Sequence, residues 1–144
     1  MIRLNEHLRL ILALIVRLEA VPIQWLIKMK KNNLSDRVVE FVLNCSVDEF
    51  QDLTVAKIAA AFHVNRCYLS RRFKHDKDFT LCEFLIREKL SRSVGLLRKD
   101  GDLTISELSR KMGFSNSNYF IQIFRNYYGA PPGKYREYIN KEST

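Results

Sequence analysis

The sequence predicts an all-α fold, two helix-turn-helix units joined by a linker helix, with an extra helical segment in front. Three observations predict it. No stretch alternates apolar and polar residues as a half-buried strand would. Glycine and proline are sparse, five and three among 144 residues, so few breaks interrupt the helical spacing. One pattern of residues occurs twice, over 53–74 and 103–125, which reads as one structural unit used two times.

At the N-terminus Leu4, Leu8, Ile11, Ile15 and Leu18 advance by alternating steps of four and three, the seam of a helix that pairs with another. Two partners fit. The seam can meet its copy in a second chain, giving a homodimer. Alternatively, because Leu10, Leu12 and Leu14 widen the apolar stripe, the helix can fold back on its own domain around Trp25. The run Leu10 to Val16 is far shorter than the roughly 20 residues of a membrane span, and Glu6 falls where a signal peptide would be basic. We expect neither. Pro22 ends the pattern and Asn32–Asn33 supply a break, so residues 1–33 form an N-terminal segment and 34–144 the main domain. Within it, Ser35 is expected to cap a helix carrying Val38, Val39, Phe41, Val42 and Leu43 on a helical spacing.

In the repeat, Leu53 matches Leu103, Thr54 matches Thr104, Ile58 matches Leu108 and Val64 matches Phe114. After one inserted residue, Tyr68 matches Tyr119, Leu69 matches Phe120 and Phe73 matches Phe124. Each copy reads as a Thr N-cap, an apolar face, a tight turn and a second helix. The face is Val55, Ile58, Ala59 and Phe62 in one copy and Ile105, Leu108, Ser109 and Met112 in the other. The turn residue is Gly113 in one and His63 in the other, both residue types that accept a positive φ better than most.

Shared apolar positions report only a core, and a plain helical bundle would share them. The exposed positions discriminate. Between Tyr68, Leu69 and Phe73, all expected to be buried, the first copy shows Arg66, Cys67, Ser70, Arg71 and Lys74. The second shows Asn116, Ser117, Asn118, Gln122 and Arg125. Short polar groups and forked donors on one helical face, with cations at its edge, suit the reading of base edges and the anchoring of phosphates. A solvated face would more often pair Glu with Lys four residues on. The charge agrees: 24 Lys and Arg against 16 Asp and Glu give +8, a balance that favours a polyanionic partner. It is also local, since Leu53 to His75 holds Lys57, Arg66, Arg71, Arg72 and Lys74 and no acid.

These residues resemble the DNA-binding domain of AraC/XylS-type transcription regulators, over about Ser35 to Tyr138. The resemblance is most specific in ISELSRKMGFSNSNYFIQIFRNYYGAPPGKYR, with its I-x-E, GF, YF, F-R and P-x-x-Y-R, and FTLCEFLIREKLSRSVGLLR is similar to the family's linker helix. Ser93 and Ser109 stand where alanine is usual in the family. The resemblance implies subdomains at 34–79 and 100–144 around a linker at 80–99, two recognition helices, double-stranded DNA as partner and RNA polymerase as a further one. Base reading is expected from Arg66, Cys67, Ser70, Arg71, Asn116, Ser117, Asn118 and Gln122. Phosphate contacts are expected from Thr54, Lys74, Thr104, Arg125, Lys134 and Arg136.

Leu81 to Arg98 would make roughly 27 Å of helix, enough to set two helices about one turn of B-DNA, roughly 34 Å, apart. Phe84, Leu85, Leu90, Val94 and Leu97 are expected to pack both units onto it, with Gly95 its soft spot. Pro132 and Tyr135 are expected to turn the last segment back onto the second unit. No enzyme motif occurs: His7, His63 and His75 are scattered, and no Gly-rich phosphate loop, zinc or nucleophile signature is present. Cys45, Cys67 and Cys82 are odd in number and without a C-x-x-C, which fits a reducing cytoplasm and predicts no metal or cofactor. The reading from another class is a basic helical module that binds an anionic membrane or an acidic protein through Ile2 to Lys31.

Overall fold

A computed structural model describes residues 33–142, and every described element is an α-helix. In chain order these are α1 (Leu34–Asn44), α2 (Val47–Gln51), α3 (Val55–Ala61), α4 (Arg66–Lys77), α5 (Leu81–Lys99), α6 (Ile105–Lys111), α7 (Ser117–Tyr128) and α8 (Pro132–Glu142). The seam Leu4, Leu8, Ile11, Ile15 and Leu18, and Trp25, lie outside the described residues.

Local chemistry accounts for where the helices begin. Ser46–Glu49, Thr80–Glu83 and Thr104–Glu107 each form a capping box, the hydroxyl accepting from the N3 amide while the N3 carboxylate accepts from the cap amide. Each carboxyl is held below the ordinary glutamate range, chiefly by its cap hydrogen bonds. For α1 the cap is Asn33, whose side chain accepts from the Asp36 amide at 2.7 Å. Ser35, expected in that role, is instead a buried residue inside the helix and donates to Asp76 Oδ2 at 2.7 Å across to α4. Asp36 pairs with Lys77 beside it, so two polar contacts clasp α1 to the end of α4.

Two groups of buried side chains form. One gathers Val38, Val42, Phe50, Ile58, Leu69, Phe73, Leu81 and Leu85. The other gathers Leu90, Leu97, Leu103, Leu108, Met112, Phe120 and Phe124. Helix α5 supplies both: Leu81 and Leu85 face the first, Leu90 and Leu97 the second, with Phe84 and Val94 packed at their edges. Repeat partners occupy matching places, Leu69 with Phe120 and Phe73 with Phe124 all fully buried. Pro132 starts α8 and is buried, and Tyr135 sets its ring edge-on to Phe124 with centroids 5.4 Å apart, as expected.

The cores are also tied to each other. Helix α2 places Phe50 in the first and Val47 against the second. Arg92, on α5, reaches back to the end of α1. Its guanidinium donates to the carbonyls of Cys45 at 2.7 Å and Val42 at 2.9 Å, and lies 4.1 Å from the Phe50 ring centroid.

Candidate nucleic-acid interface

The two repeat copies fold alike where the sequence aligns them. In the first, the Val64 amide donates to the Ala59 carbonyl at 3.0 Å and His63 sits at φ 53°. In the second, the Phe114 amide donates to the Ser109 carbonyl at 3.0 Å and Gly113 sits at φ 74°. Both turns close α3 and α6 by the same pair of backbone bonds that a left-handed residue permits. After the turn an asparagine begins each second helix. Asn65 Oδ1 accepts from the Cys67 amide at 2.8 Å and Asn116 Oδ1 from the Asn118 amide at 2.8 Å. The helices α4 and α7 then run for 12 residues each and end on left-handed caps, Asp78 at φ 65° and Gly129 at φ 80°. The two asparagines occupy equivalent places in the repeat, and an Asn ahead of a helix is a readable cap signal.

On these two helices the residues expected to read bases share one exposed aspect. Arg66, Cys67 and Arg71 are exposed on α4, with Ser70 half-buried between them. Asn118 and Gln122 are exposed on α7, with Ser117 half-buried. Arg71 is the sixth residue of α4 and Gln122 the sixth of α7, so the structure puts them at equivalent positions. Asn116 differs: its oxygen is spent on the cap, leaving only its amide N–H groups to reach outward.

Tyr68, expected in the core, is 53% exposed, and its repeat partner Tyr119 is 51% exposed. The repeat matched them because both lie beside the polar face, not because both are buried. Leu69 and Phe120 already fill the core at the next position, and a helix turns about 100° between neighbours. The tyrosines therefore add an aromatic to the exposed aspect of each helix.

Electrostatics distinguish the cations. Arg72 pairs with Asp76 at 3.0 Å, and that carboxyl is held below its usual range, first by the Ser35 hydroxyl and then by His75. Among the described residues Arg66, Arg71, Arg125 and Lys134 form no ion pair within 4.0 Å, and all four are exposed. Lys74 is exposed too, and its charge helps to lower the Glu83 carboxyl.

The remaining expected phosphate contacts have internal partners. Thr54 accepts from the Lys57 amide at 3.2 Å as the cap of α3. Thr104 donates to Glu107 Oε2 at 2.7 Å and accepts from the Glu107 amide at 3.1 Å, which occupies the hydroxyl and sets a carboxylate beside it. Arg136 turns inward and donates to the carbonyls of Gly101, at 3.3 Å, and Leu103, fastening α8 to the loop before α6. Sequence separations of 35 and 33 residues hide that contact from any local pattern. Among the described residues no group of His, Cys, Asp and Glu is arranged to hold a metal ion.

A family model described as a helix-turn-helix domain matches residues 58–138, more than half of the chain. The chain belongs to the AraC-type helix-turn-helix family. Among relatives of known sequence, it is 34% identical over 87 residues to the Msm operon regulatory protein of Streptococcus mutans, covering 60% of this chain and 31% of that protein. It is also 34% identical over 86 residues to the HTH-type transcriptional regulator YfiF of Bacillus subtilis, covering 60% of this chain and 27% of that one. The chain thus spans less than a third of either relative. Two solved structures share the AraC-type fold. The C-terminal domain of the two-component response regulator yesN from Fusobacterium nucleatum superposes with TM-score 0.62 at 24% identity, over 73% of this chain and 99% of that one. The DNA-binding domain of the global transcriptional factor AdpA, solved in complex with a target DNA, gives 0.64 at 20% identity over 77% and 96%.

Proposed function

We propose that this chain is a sequence-specific double-stranded DNA-binding transcription regulator that inserts α4 and α7 into successive major grooves on one face of the duplex. The observation that carries the reading is the equivalence of the two helices. Each starts on an asparagine cap, buries the same two positions, and turns a polar, cation-edged aspect outward around Arg71 or Gln122. Family membership, relatives named as transcriptional regulators and a neighbour solved with target DNA support it.

In this reading Arg66, Cys67, Ser70 and Arg71 meet base edges in one groove, and Ser117, Asn118, Gln122 and the Asn116 amide in the next. Tyr68 and Tyr119 add apolar contact beside them. Arg71 suits guanine O6 and N7, and Gln122 or Asn118 suits adenine N6 and N7. Lys74, Arg125 and Lys134, with Thr54 at the cap of α3, face phosphates. Thr104 and Arg136 are left out of that set because the Thr104 hydroxyl donates to Glu107 and the Arg136 guanidinium turns inward to the Gly101 and Leu103 carbonyls. A homodimer through Leu4, Leu8, Ile11, Ile15 and Leu18, contact with RNA polymerase and a cytoplasmic setting complete the proposal.

The test is selection from a random duplex pool followed by gel shift. A bipartite motif with halves about one helical turn apart supports the reading. Retention of anionic vesicles without retention of any duplex would replace it with the membrane-surface alternative. Ultracentrifugation of the intact chain and of a version lacking residues 1–22 tests the dimer, which requires a mass that rises with concentration only in the first.

A further inference from the structure

Lys89 is a cation that the fold half-buries without giving it an acid. It lies on α5, the helix shared by the two cores, and among the described residues no carboxylate comes within 4.0 Å of it. Its ammonium donates weakly to the Gly113 carbonyl at 3.4 Å and stands 5.3 Å from the Phe114 ring centroid, at the turn that leads into α7. Two of its three N–H donors are left over. An ammonium held this way costs folding energy that a methionine of similar length would not. Burial pushes its pKa down, the direction expected of a cation that lacks a counter-charge.

The same side chain lines an open groove of about 500 Å³ whose walls are apolar at Val55, Leu85 and Ile86 and polar at Thr54 and Arg66, the first residue of α4. Its ionisable groups are Lys89, Arg66 and Cys82, with no carboxylate among them. One wall thus belongs to the start of α4, and Lys89 itself touches the turn before α7. If those two helices enter successive grooves, the intervening stretch of sugar-phosphate backbone has to pass between their starts.

Resting on the DNA-binding reading above, we infer that the groove holding Lys89 and Thr54, flanked by Arg66 at the start of α4, is an anion site that seats a backbone phosphate between the two half-sites. Lys89 joins the halves: from the shared helix α5 it anchors DNA at a phosphate beside the start of α4, a contact that carries no base information. The occupant is a phosphodiester of the duplex, because the groove sets the start of α4 beside Lys89, which touches the turn before α7, and no carboxylate lines it.

The experiment uses the intact chain and the duplex it selects from a random pool, comparing Lys89→Met and Lys89→Arg by affinity against salt concentration. Lys89→Met should lower the salt slope by about one, weaken all sequences several-fold alike, and leave the melting temperature unchanged or raised. Lys89→Arg should keep the slope. Neutral methylphosphonates placed one at a time between the half-sites should weaken the natural protein at one position and leave Lys89→Met no weaker there. An unchanged slope in Lys89→Met overturns the inference, as does lost affinity at unchanged slope with a lower melting temperature, which would make Lys89 a support for the Gly113 turn. Saturable binding of inorganic phosphate that Lys89→Met abolishes while the DNA slope stays constant would also overturn it, in favour of a small anion. A chain that retains no duplex overturns the DNA reading itself, and this site with it.

Discussion

Gly113, the turn residue of the second helix-turn-helix, lies directly against the backbone carbonyl of Gln51 in the first. A Cβ on Gly113 would overlap that oxygen and stand 3.0 Å from its carbon. The glycine is therefore doubly constrained, by its left-handed φ of 74° and by the chain it touches. Through this contact the end of α2 sets where the start of α7 lies relative to the first unit.

Gly129 supplies the control, with φ 80° and nothing within 4 Å of its Cβ position. Gly129→Ala should cost only the left-handed penalty, about 1–2 kcal/mol. Gly113→Ala should cost that plus the overlap with Gln51, a further 1–3 kcal/mol or so. Urea denaturation of the two variants checks the difference, and equal losses would mean that the Gln51 contact does not constrain the turn.

Arg92 is the second tie between the units. Arg92→Lys should lose about 2–3 kcal/mol although the charge is kept, because one ammonium cannot replace a fork that donates to both the Cys45 and Val42 carbonyls and stacks on Phe50. A calorimetric scan that finds Arg92→Lys as stable as the natural chain would contradict this.

Much of this fold was legible because it repeats. The two copies mark the turns at His63 and Gly113 and the buried pairs Leu69–Phe120 and Phe73–Phe124, since a core imposes the same requirement on both. What the sequence concealed depends on contacts between distant residues. Ser35 looks like a cap until Asp76, 41 residues away, claims its hydroxyl. Arg136 looks like a free cation until the carbonyls of Gly101 and Leu103 are seen. Tyr68 departs from its expected burial for another reason: repetition of an aromatic reports a shared environment without saying whether that environment is core or surface. The short helix α2 could have been found from Ser46 and Glu49, three residues apart ahead of Phe50.

Two buried serines should respond oppositely to the same change. Ser93 donates to the Leu90 carbonyl at 2.6 Å, whereas the Ser109 hydroxyl is buried with no hydrogen-bond partner. Ser109→Ala should gain about 1 kcal/mol by removing an unpaired polar group, and Ser93→Ala should gain nothing or lose up to about 1 kcal/mol. Thermal melts of both variants decide it, and a destabilised Ser109→Ala would count against the unpaired hydroxyl.

Acid should act on the helix starts. The Glu49, Glu83 and Glu107 carboxyls are held below their ordinary value of 4.5 by cap hydrogen bonds, chiefly from the Ser46 and Thr80 backbones and the Thr104 side chain. A carboxyl whose pKa is lowered by folding adds stability that is complete above that ordinary value and is lost as pH falls through the lower folded one. The melting temperature should therefore drop as pH falls below about 4.5, and the triple Glu→Gln variant should show a shallower drop over that range. An identical acid limb in both proteins would remove the boxes from the account.

The most direct test of the central claim is to compare base preferences of Arg71→Ala and Gln122→Ala on the selected duplex. If α4 and α7 read successive grooves, Arg71→Ala relaxes specificity at one position in one half-site and Gln122→Ala at one position in the other, each by about 1–3 kcal/mol of discrimination. The two positions should lie about one helical turn apart. Uniform weakening across all sequences by both variants, or relaxation of the same base pair by both, would contradict a two-groove reader.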